Sequence, residues 1–221
     1  MLIDELDETT VWSQHLGGTN DIGGVAPISA SIALVPDTHA SWLMAIAGNS
    51  APPDGFPCNM FYTSRTIYSA TGCVREFDLF VDENAPTEAQ LYECDGMFPM
   101  TCSDGKIRMF NGSTQYVNGT GWMVVNAAGD WEAIDFNPKM APGWHKIRIE
   151  HKWSLTANTM STPSITTDGV TGQTPAALLN VACEISTWAP GKVNLQFQTG
   201  SLPAGGSWTM RPRNVRIIWP S

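Results

Sequence analysis

The feature that most constrains this chain is a repeated pattern of short runs in which apolar and polar residues alternate. In Lys192–Gln198 every second residue is apolar, which places three apolar side chains on one side of an extended backbone. Clusters of Gly, Pro, Asn and Asp separate the runs, as in Asn49–Gly55. A helical turn is expected only over Asp4–Thr9, because no other window has apolar residues spaced by three and four. The pattern therefore predicts strands joined by turns.

Eleven strands are predicted in this way, and together they favour an all-β protein, a two-sheet antiparallel β-sandwich or jelly roll. We expect one domain over residues 1–221, with residues 1–24 as an N-terminal extension and Gly-rich loop. The stretch Thr156–Pro175 is rich in Thr, Ser and Gly and is expected to be a long loop, either a surface excursion or a lid. The predicted strands are Ser29–Val35, Trp42–Ala47, Arg75–Asp82, Gln90–Cys94, Lys106–Asn111, Trp122–Asn126, Trp131–Phe136, Trp144–Trp153, Ala182–Thr187, Lys192–Gln198 and Arg213–Trp219.

Composition narrows the range of partners. The formal net charge is −9, with only 12 Lys and Arg residues, which argues against nucleic acid and against an anionic membrane surface. No run of 18 apolar residues is present, so membrane insertion is not expected. The acidic start, Met1–Glu8, does not resemble a signal peptide. Low Lys content and abundant Thr, Asn, Gly and Trp favour the mature form of an extracellular or periplasmic protein.

Five cysteines leave two interpretations open. Cys94 and Cys102 flank a turn-rich segment, so a disulfide closing a hairpin is expected there, and Cys58 with Cys73 is a candidate second pair. Cys183 would then remain as a buried thiol. The alternative is that all five cysteines are reduced and buried, because free Cys is a common core residue.

Three segments resemble the concanavalin A-like and laminin G-like superfamily of lectins and glucanases. They are Arg75–Asp82, the Gly-Trp-His strand within Pro142–Glu150, and the closing run Arg213–Trp219. The resemblance covers about the last two-thirds of the chain. It implies a jelly roll of two curved antiparallel sheets whose concave face binds carbohydrate. It names no activity, because the same fold occurs in lectins, lyases, hydrolases and adhesion modules.

A pair of carboxylates is the first candidate for chemistry. Glu76 and Asp78 stand two residues apart on a predicted strand, so their side chains emerge on the same face. They resemble the first two positions of the Glu-x-Asp-x-(x)-Glu strand of laminarinase-type glycoside hydrolases. Phe80 or Val81 occupies the position of the last Glu, which acts as the general acid in that family. Loss of this acid makes a hydrolase the weaker enzymatic alternative.

A polysaccharide lyase is the stronger enzymatic alternative. Such an enzyme needs a cation to neutralise a uronate carboxylate and a base to remove a proton. Arg148, with Lys146, is the candidate cation, and Tyr92 is the candidate base ahead of Tyr116, His145 and His151. The Arg-x-Glu-x-Arg, Gln-x-His and Tyr-x-Lys-x-Gly runs of similarly folded alginate lyases are absent. The competing interpretation is a solvated strand face held by cross-strand ion pairs.

Binding without catalysis is the preferred hypothesis. Sugar rings stack on flat aromatic side chains, while amides and carboxylates hydrogen-bond their hydroxyl groups. Trp188 and Trp208 flank turn sequences and are the candidate stacking residues. Gln196 and Gln198 lie on the polar side of a predicted strand and are the candidate hydrogen-bonding residues. The expected partner is thus a polysaccharide or oligosaccharide, and a structural role in a larger assembly is the third alternative.

No cofactor is expected, with the exception of one structural calcium ion. Laminin G-like domains often hold calcium through Asp and Asn oxygens at a sandwich edge, and Asp82 with Asn84 is the candidate pair here. The four His and five Cys have no zinc-site spacing. No Ser, His or Gly arrangement typical of nucleophilic catalysis or phosphate binding is present.

Overall fold

A computed structural model describes the backbone of residues 2–5, 12–16, 29–35, 41–47, 58–83, 90–117, 119–199 and 207–220. Side chains are described for residue 2 and for residues 66–83, 93–117, 119–197 and 211–220. Within these ranges the chain forms seventeen strands and one short 3-10 helix, Ala176–Leu178. None of the described helical residues forms a helix long and apolar enough to cross a membrane.

The described strands form two sheets, and every described pair of neighbours is antiparallel. Sheet I has the order β14 (Val170–Gln173), β13 (Thr159–Thr167), β12 (Gly143–Ser154), β6 (Gly72–Val81), β17 (Ser207–Trp219), β4 (Ser41–Ala47) and β3 (Ser29–Val35), with β1 (Leu2–Glu5) on β17 and β15 (Val181–Ala182) on β13. Sheet II has the order β11 (Trp131–Ala133), β10 (Gly121–Val125), β9 (Thr114–Val117), β7 (Gln90–Thr101), β16 (Lys192–Thr199), β5 (Cys58–Thr66) and β2 (Trp12–Leu16), with β8 (Ile107–Asn111) on β7.

The two sheets pack face to face. Alternation along each strand sends one set of side chains to an inner face, which meets the other sheet, and the other set to an outer face. Phe77 of sheet I meets Phe197 of sheet II edge to face, with ring centroids 5.0 Å apart. The indole Nε1 of Trp122 donates across the core to the hydroxyl of Thr167 at 2.9 Å. The predicted all-β, two-sheet antiparallel sandwich is confirmed, and its form is consistent with a jelly roll.

Several strand boundaries differ from the prediction. The expected loop Thr156–Pro175 contains a hairpin, because β13 and β14 pair through the two-residue turn Asp168-Gly169. Both turn residues have positive φ, +48° and +84°, which suits the right-handed twist of paired strands. The strands β2 and β5 were not predicted. At the N-terminus Leu2–Glu5 is a strand paired with β17, and the expected helical turn is not formed over these residues.

The predicted disulfides are wrong. Cys73, Cys94, Cys102 and Cys183 are all free thiols. The segment after Cys94 is not a hairpin loop, because β7 continues through it to Thr101. Eight residues of extended chain separate Cys94 from Cys102 by about 26 Å, whereas a disulfide requires Cα atoms within about 7 Å. Cys73 lies on the inner face of β6, and the side chain of Cys58 lies outside the described residues.

Candidate functional site

The structure divides the predicted site residues between the two outer faces. Glu76, Asp78 and Arg148 meet on the outer face of sheet I, where β6 pairs with β12. Gln196 lies on the outer face of sheet II, in β16. For the other candidates on strands, Tyr92 in β7, Gln198 in β16 and Trp208 in β17, only the backbone is described. The predicted catalytic and ligand-binding residues therefore do not form one site.

On sheet I, Glu76 is held between two arginines. Arg148 on β12 donates to one of its oxygens, and Arg216 on β17 donates to the other through Nε (2.8 Å) and Nη2 (2.5 Å). Partial burial alone would raise the pKa of Glu76, but the hydrogen bonds from Arg216 and Arg148 hold it below its usual value. Glu76 therefore stays ionised, which makes it unsuitable as a general acid.

Asp78 has a similar environment one position further along the outer face of β6. Its carboxylate accepts from Lys146 at 3.4 Å, from Arg213 Nε at 3.3 Å and from Asn214 Nδ2 at 2.7 Å. Arg213 and Asn214 both reach it because β17 shifts register against β6 at this point, with Asn214 at a φ of +52°. This face has the cross-strand ion pairs that the competing interpretation expected.

The outer face of sheet II contains a second polar row. Strand register places Gln115 of β9 beside Glu93 of β7, and Gln196 of β16 beside Asp95 of β7. Asn194 follows on the same face of β16. Glu93, Asp95, Gln115 and Asn194 are each at least nine-tenths buried, and Gln196 is half-buried. Two carboxyl groups and three amides from three neighbouring strands thus form one cluster.

The cluster lies at a break in the sheet. Along one edge of β7, β9 pairs only as far as Cys94, and β8 takes over at Met97. On the inner face Arg75 crosses the core to this break, and its Nη2 donates to the carbonyls of Cys94 and Gly112 at 3.0 Å each. On the outer face the carboxylate of Asp95 accepts a hydrogen bond from the Thr114 backbone. Interactions on both faces therefore fix the position of Asp95.

The two carboxyl groups behave as a unit. Burial raises the pKa of Asp95, and Glu93 shares a hydrogen bond with it. A hydrogen bond between two carboxyl groups needs a proton, since ionised carboxylates only accept. The positive charge of Arg75 acts in the opposite direction and favours ionisation of Asp95. The shared proton lies between the two carboxyl groups, so the pair offers acceptor oxygens to other groups.

Sequence reasoning missed Glu93 and Asp95, although a signal was present. They have the same Glu-x-Asp spacing as Glu76 and Asp78. The spacing was overlooked because Cys94–Cys102 was interpreted as a disulfide-closed loop, whereas the segment belongs to the long strand β7. In this strand the outward position where a third acidic residue would stand is occupied by Met97.

The remaining candidates lie apart from both faces or outside the described residues. Trp188 lies between β15 and β16 and is 44% exposed, and its role as a stacking residue stays a prediction. Asn84, one of the two calcium candidates, lies outside the described residues, so the calcium site stays a prediction with Asp82. Among the residues that the structure describes, no three His, Cys, Asp or Glu side chains are grouped to hold a metal ion.

Comparison with known proteins identifies the fold. The sequence matches no protein-family model and no curated protein sequence. Solved structures do match. A carbohydrate esterase of the Shiga toxin-encoding bacteriophage phi24B matches with a TM-score of 0.52 and 12% identity, over 97% of this chain and 93% of the esterase. The β-glucanase of Bacillus licheniformis matches with a TM-score of 0.48 and 11% identity, over 97% of this chain and 94% of the glucanase. Peanut lectin matches with a TM-score of 0.41 and 10% identity, over 94% of this chain and 95% of the lectin. The likeness to the phage esterase is one of fold alone, and it agrees with the two-sheet antiparallel sandwich described above.

Proposed function

We propose that this protein binds a carbohydrate on the outer face of sheet II. The observation that carries the proposal is the row of carboxyl and amide side chains contributed by β7, β9 and β16. The row is defined by Glu93, Asp95, Gln115, Asn194 and Gln196. A similar fold occurs in a phage protein named as a carbohydrate esterase, which supports the same class of ligand.

The chemistry of this row matches sugar hydroxyl groups. Each hydroxyl donates one hydrogen bond and accepts others, so it is bound best where donors and acceptors alternate. The amides of Gln196 and Asn194 supply both, and the remaining oxygens of Glu93 and Asp95 add acceptors. The Oε1 atom of Gln115 is buried and has no hydrogen-bond partner among the described residues. Leaving such an acceptor unpaired costs about 1–3 kcal/mol, so the row has hydrogen-bonding capacity that the described residues do not use.

The geometry favours binding over cleavage. Glycoside hydrolases need two carboxyl groups about 5–5.5 Å apart for retention, or about 6.5–9.5 Å apart for inversion. Glu93 and Asp95 are hydrogen-bonded to each other, which is too close for either mechanism. The next outward position on β7 is Met97, which has no acid to contribute. On sheet I, Glu76 is neutralised by Arg148 and Arg216, so it is not poised for catalysis either.

A location outside the cell goes with this ligand class and is part of the proposal. Polysaccharides are extracellular in most settings, and a mature exported form agrees with the composition of the chain. It rests on the ligand class and the composition; the described cysteines are free thiols.

The proposal is tested by affinity electrophoresis of the purified protein through gels containing a panel of neutral polysaccharides, with release of reducing ends measured in parallel. We expect retardation by at least one polysaccharide and no product. Gln196→Ala removes an amide from the proposed row, and loss of a hydrogen bond worth about 1–1.5 kcal/mol should weaken binding about tenfold. Gln173→Ala, at an exposed position on β14 of sheet I, is the matched control and should bind as the unaltered protein does.

Three outcomes would count against the proposal. The first is no retardation by any member of the panel. The second is equal weakening by Gln173→Ala and Gln196→Ala, which would place the ligand elsewhere. The third is product formation that Asp95→Asn abolishes, which would show that the carboxyl pair is catalytic and would establish the enzymatic alternative.

A further inference from the structure

We propose that the outer face of sheet I is a second and separate ligand site, which binds a polysaccharide carrying carboxylate or sulfate groups. This face and the polar row on sheet II lie on opposite sides of the sandwich. The inference uses only the residues of sheet I, so it does not depend on binding at sheet II.

Positive charge is concentrated on this face. Six of the 12 Lys and Arg residues of the chain occupy outer positions on β12 and β17. Among the strand positions that the structure describes, four acidic residues share the face, although the chain as a whole has a net charge of −9. The basic residues are Lys146, Arg148, Lys152, Arg211, Arg213 and Arg216, and the acidic residues are Glu5, Glu76, Asp78 and Glu150. A local excess of positive charge on an acidic protein marks a surface suited to an anionic ligand.

The cations form two rows with β6 between them. Those of β12 lie on one side of β6 and those of β17 on the other, so each carboxylate of β6 is shared by cations from both rows. Sharing leaves each group with a net positive charge. It also leaves the cations accessible, since the side chains of Lys146, Arg148 and Arg216 are 83%, 48% and 41% exposed. The carboxylates thus hold the cations in place without neutralising the face.

The face also has space for an extended ligand. A cavity of about 530 Å³ is lined by Glu76, Asp78, Lys146, Arg148 and Arg216, together with the hydroxyl of Thr166 and the amide of Asn214. A second cavity of about 580 Å³ continues along β6 and includes Val74, Ile218 and Trp219. Arg148 lines both cavities, so they adjoin each other along the sheet. The first cavity is mainly polar, and the second provides apolar surface.

An aromatic pair lies next to Asp78 and Lys146 on the same face. Trp144 on β12 packs edge to face against Phe80 on β6, with ring centroids 5.4 Å apart. The guanidinium carbon of Arg213 lies 3.8 Å from the centre of the Trp144 ring, and that of Arg211 lies 5.2 Å from it. Stacking on an aromatic ring fixes the orientation of a guanidinium group, so these arginines are preorganised for a planar anion.

The mixture of charges identifies the class of ligand. Duplex DNA has one negative charge per about 1.7 Å of its axis, and the carboxylates of β6 would repel such a dense row of charge. An acidic polysaccharide has anionic groups separated by hydroxyl groups. Arginine binds a carboxylate or sulfate through two parallel hydrogen bonds, while Glu76 and Asp78 can accept from hydroxyls. Rows of cations on both sides of the carboxylates of β6 therefore fit an acidic polysaccharide.

The inference is tested by affinity electrophoresis and by isothermal titration calorimetry with polygalacturonate and chondroitin sulfate, each at low and at high salt. We expect binding by the unaltered protein that weakens as salt is raised, because screening reduces charge attraction. Arg148→Gln should weaken binding at least fivefold, whereas Glu76→Gln should strengthen it at least twofold by increasing the net positive charge. Arg108→Gln and Glu132→Gln alter one charge each on sheet II and serve as matched controls that should leave binding unchanged.

The opposite signs separate a binding role from a structural one. If the ion pairs served stability alone, Arg148→Gln and Glu76→Gln would both lower the melting temperature. Their effects on affinity would then not have opposite signs. The inference is overturned if the unaltered protein binds neither polymer, if the controls alter binding as much as the sheet I variants do, or if a duplex DNA competitor binds as tightly. The Gln196→Ala variant of sheet II should keep full affinity for the acidic polymers, so failure of one site is distinguishable from failure of the other.

Discussion

A buried histidine should make this protein sensitive to mild acid. His151 on β12 is 1% exposed, and its Nε2 atom accepts a hydrogen bond from the Nε of Arg75 at 2.8 Å. Because Arg75 must donate, Nε2 has no proton, and Nδ1 has the proton that it donates to the hydroxyl of Thr162 at 3.1 Å. Burial, and then the charge of Arg75, lower the pKa of His151 well below its ordinary value. The folded protein therefore contains a neutral histidine.

The sign and size of the effect follow from proton linkage. The unfolded chain takes up a proton on this histidine as the pH falls below about 6.5, whereas the folded chain does not. Stability is therefore retained above that pH and is lost as the pH falls. For one such group the loss approaches about 1.4 kcal/mol per pH unit, or about 2 kcal/mol between pH 7.5 and pH 5.0. Burial in the core of this sandwich thus opposes protonation of His151 at Nε2.

The measurement is urea unfolding followed by tryptophan fluorescence at pH 7.5 and pH 5.0. His151→Gln keeps an oxygen that accepts from Arg75 but has no group that titrates in this range. We expect this variant to lose about 2 kcal/mol less than the unaltered protein between the two pH values. His145→Gln, on the same strand, is the control and should retain the acid-dependent loss. Identical losses in His151→Gln and the unaltered protein would refute the reasoning.

Three further predictions concern stability and thiol reactivity. Gly112→Ala should destabilise the fold by about 1–3 kcal/mol in the same urea assay, because the new Cβ would lie 2.5 Å from the ring of His151; an unchanged midpoint would contradict this. Trp122→Phe should cost about 1–3 kcal/mol, since it leaves the buried hydroxyl of Thr167 without its donor across the core. Burial raises the pKa of the Cys73 thiol to about 12, so iodoacetamide at pH 8 should label it only after unfolding, as mass spectrometry of the native and denatured protein would show.

Local sequence patterns predict most of the strands but assign some segments wrongly. The alternation in Lys192–Gln198 and Trp144–Trp153 predicted strands that the structure has as β16 and β12. The hairpin in Thr156–Pro175 was missed because its Thr-rich composition was interpreted as a loop, although Asp168-Gly169 is a strong hairpin signal. The disulfide prediction concealed the continuation of β7, and with it Glu93 and Asp95.

The candidate sites depended on contacts that no local pattern includes. Glu76, Asp78 and Arg148 could be assigned to polar strand faces, but their ion pairing required the register of β6 against β12. The row on sheet II brings together residues of β9 and β16, two strands that are far apart in the sequence. Its two carboxyl groups share a hydrogen bond only because the fold buries them side by side at a break in the sheet.

The sequence by itself determined that this chain forms antiparallel strands, that they have an apolar and a polar side, and that the result is a β-sandwich. The reason is that alternation and turn residues act over a few neighbouring positions, where backbone geometry alone decides which side chains share a face. Tertiary structure alone decided which polar faces became neighbours, which charges were shared, and that Arg75 and His151 are buried together. Those outcomes depend on the pairing of strands distant in sequence, because a register shift of one residue would send each side chain to the opposite face.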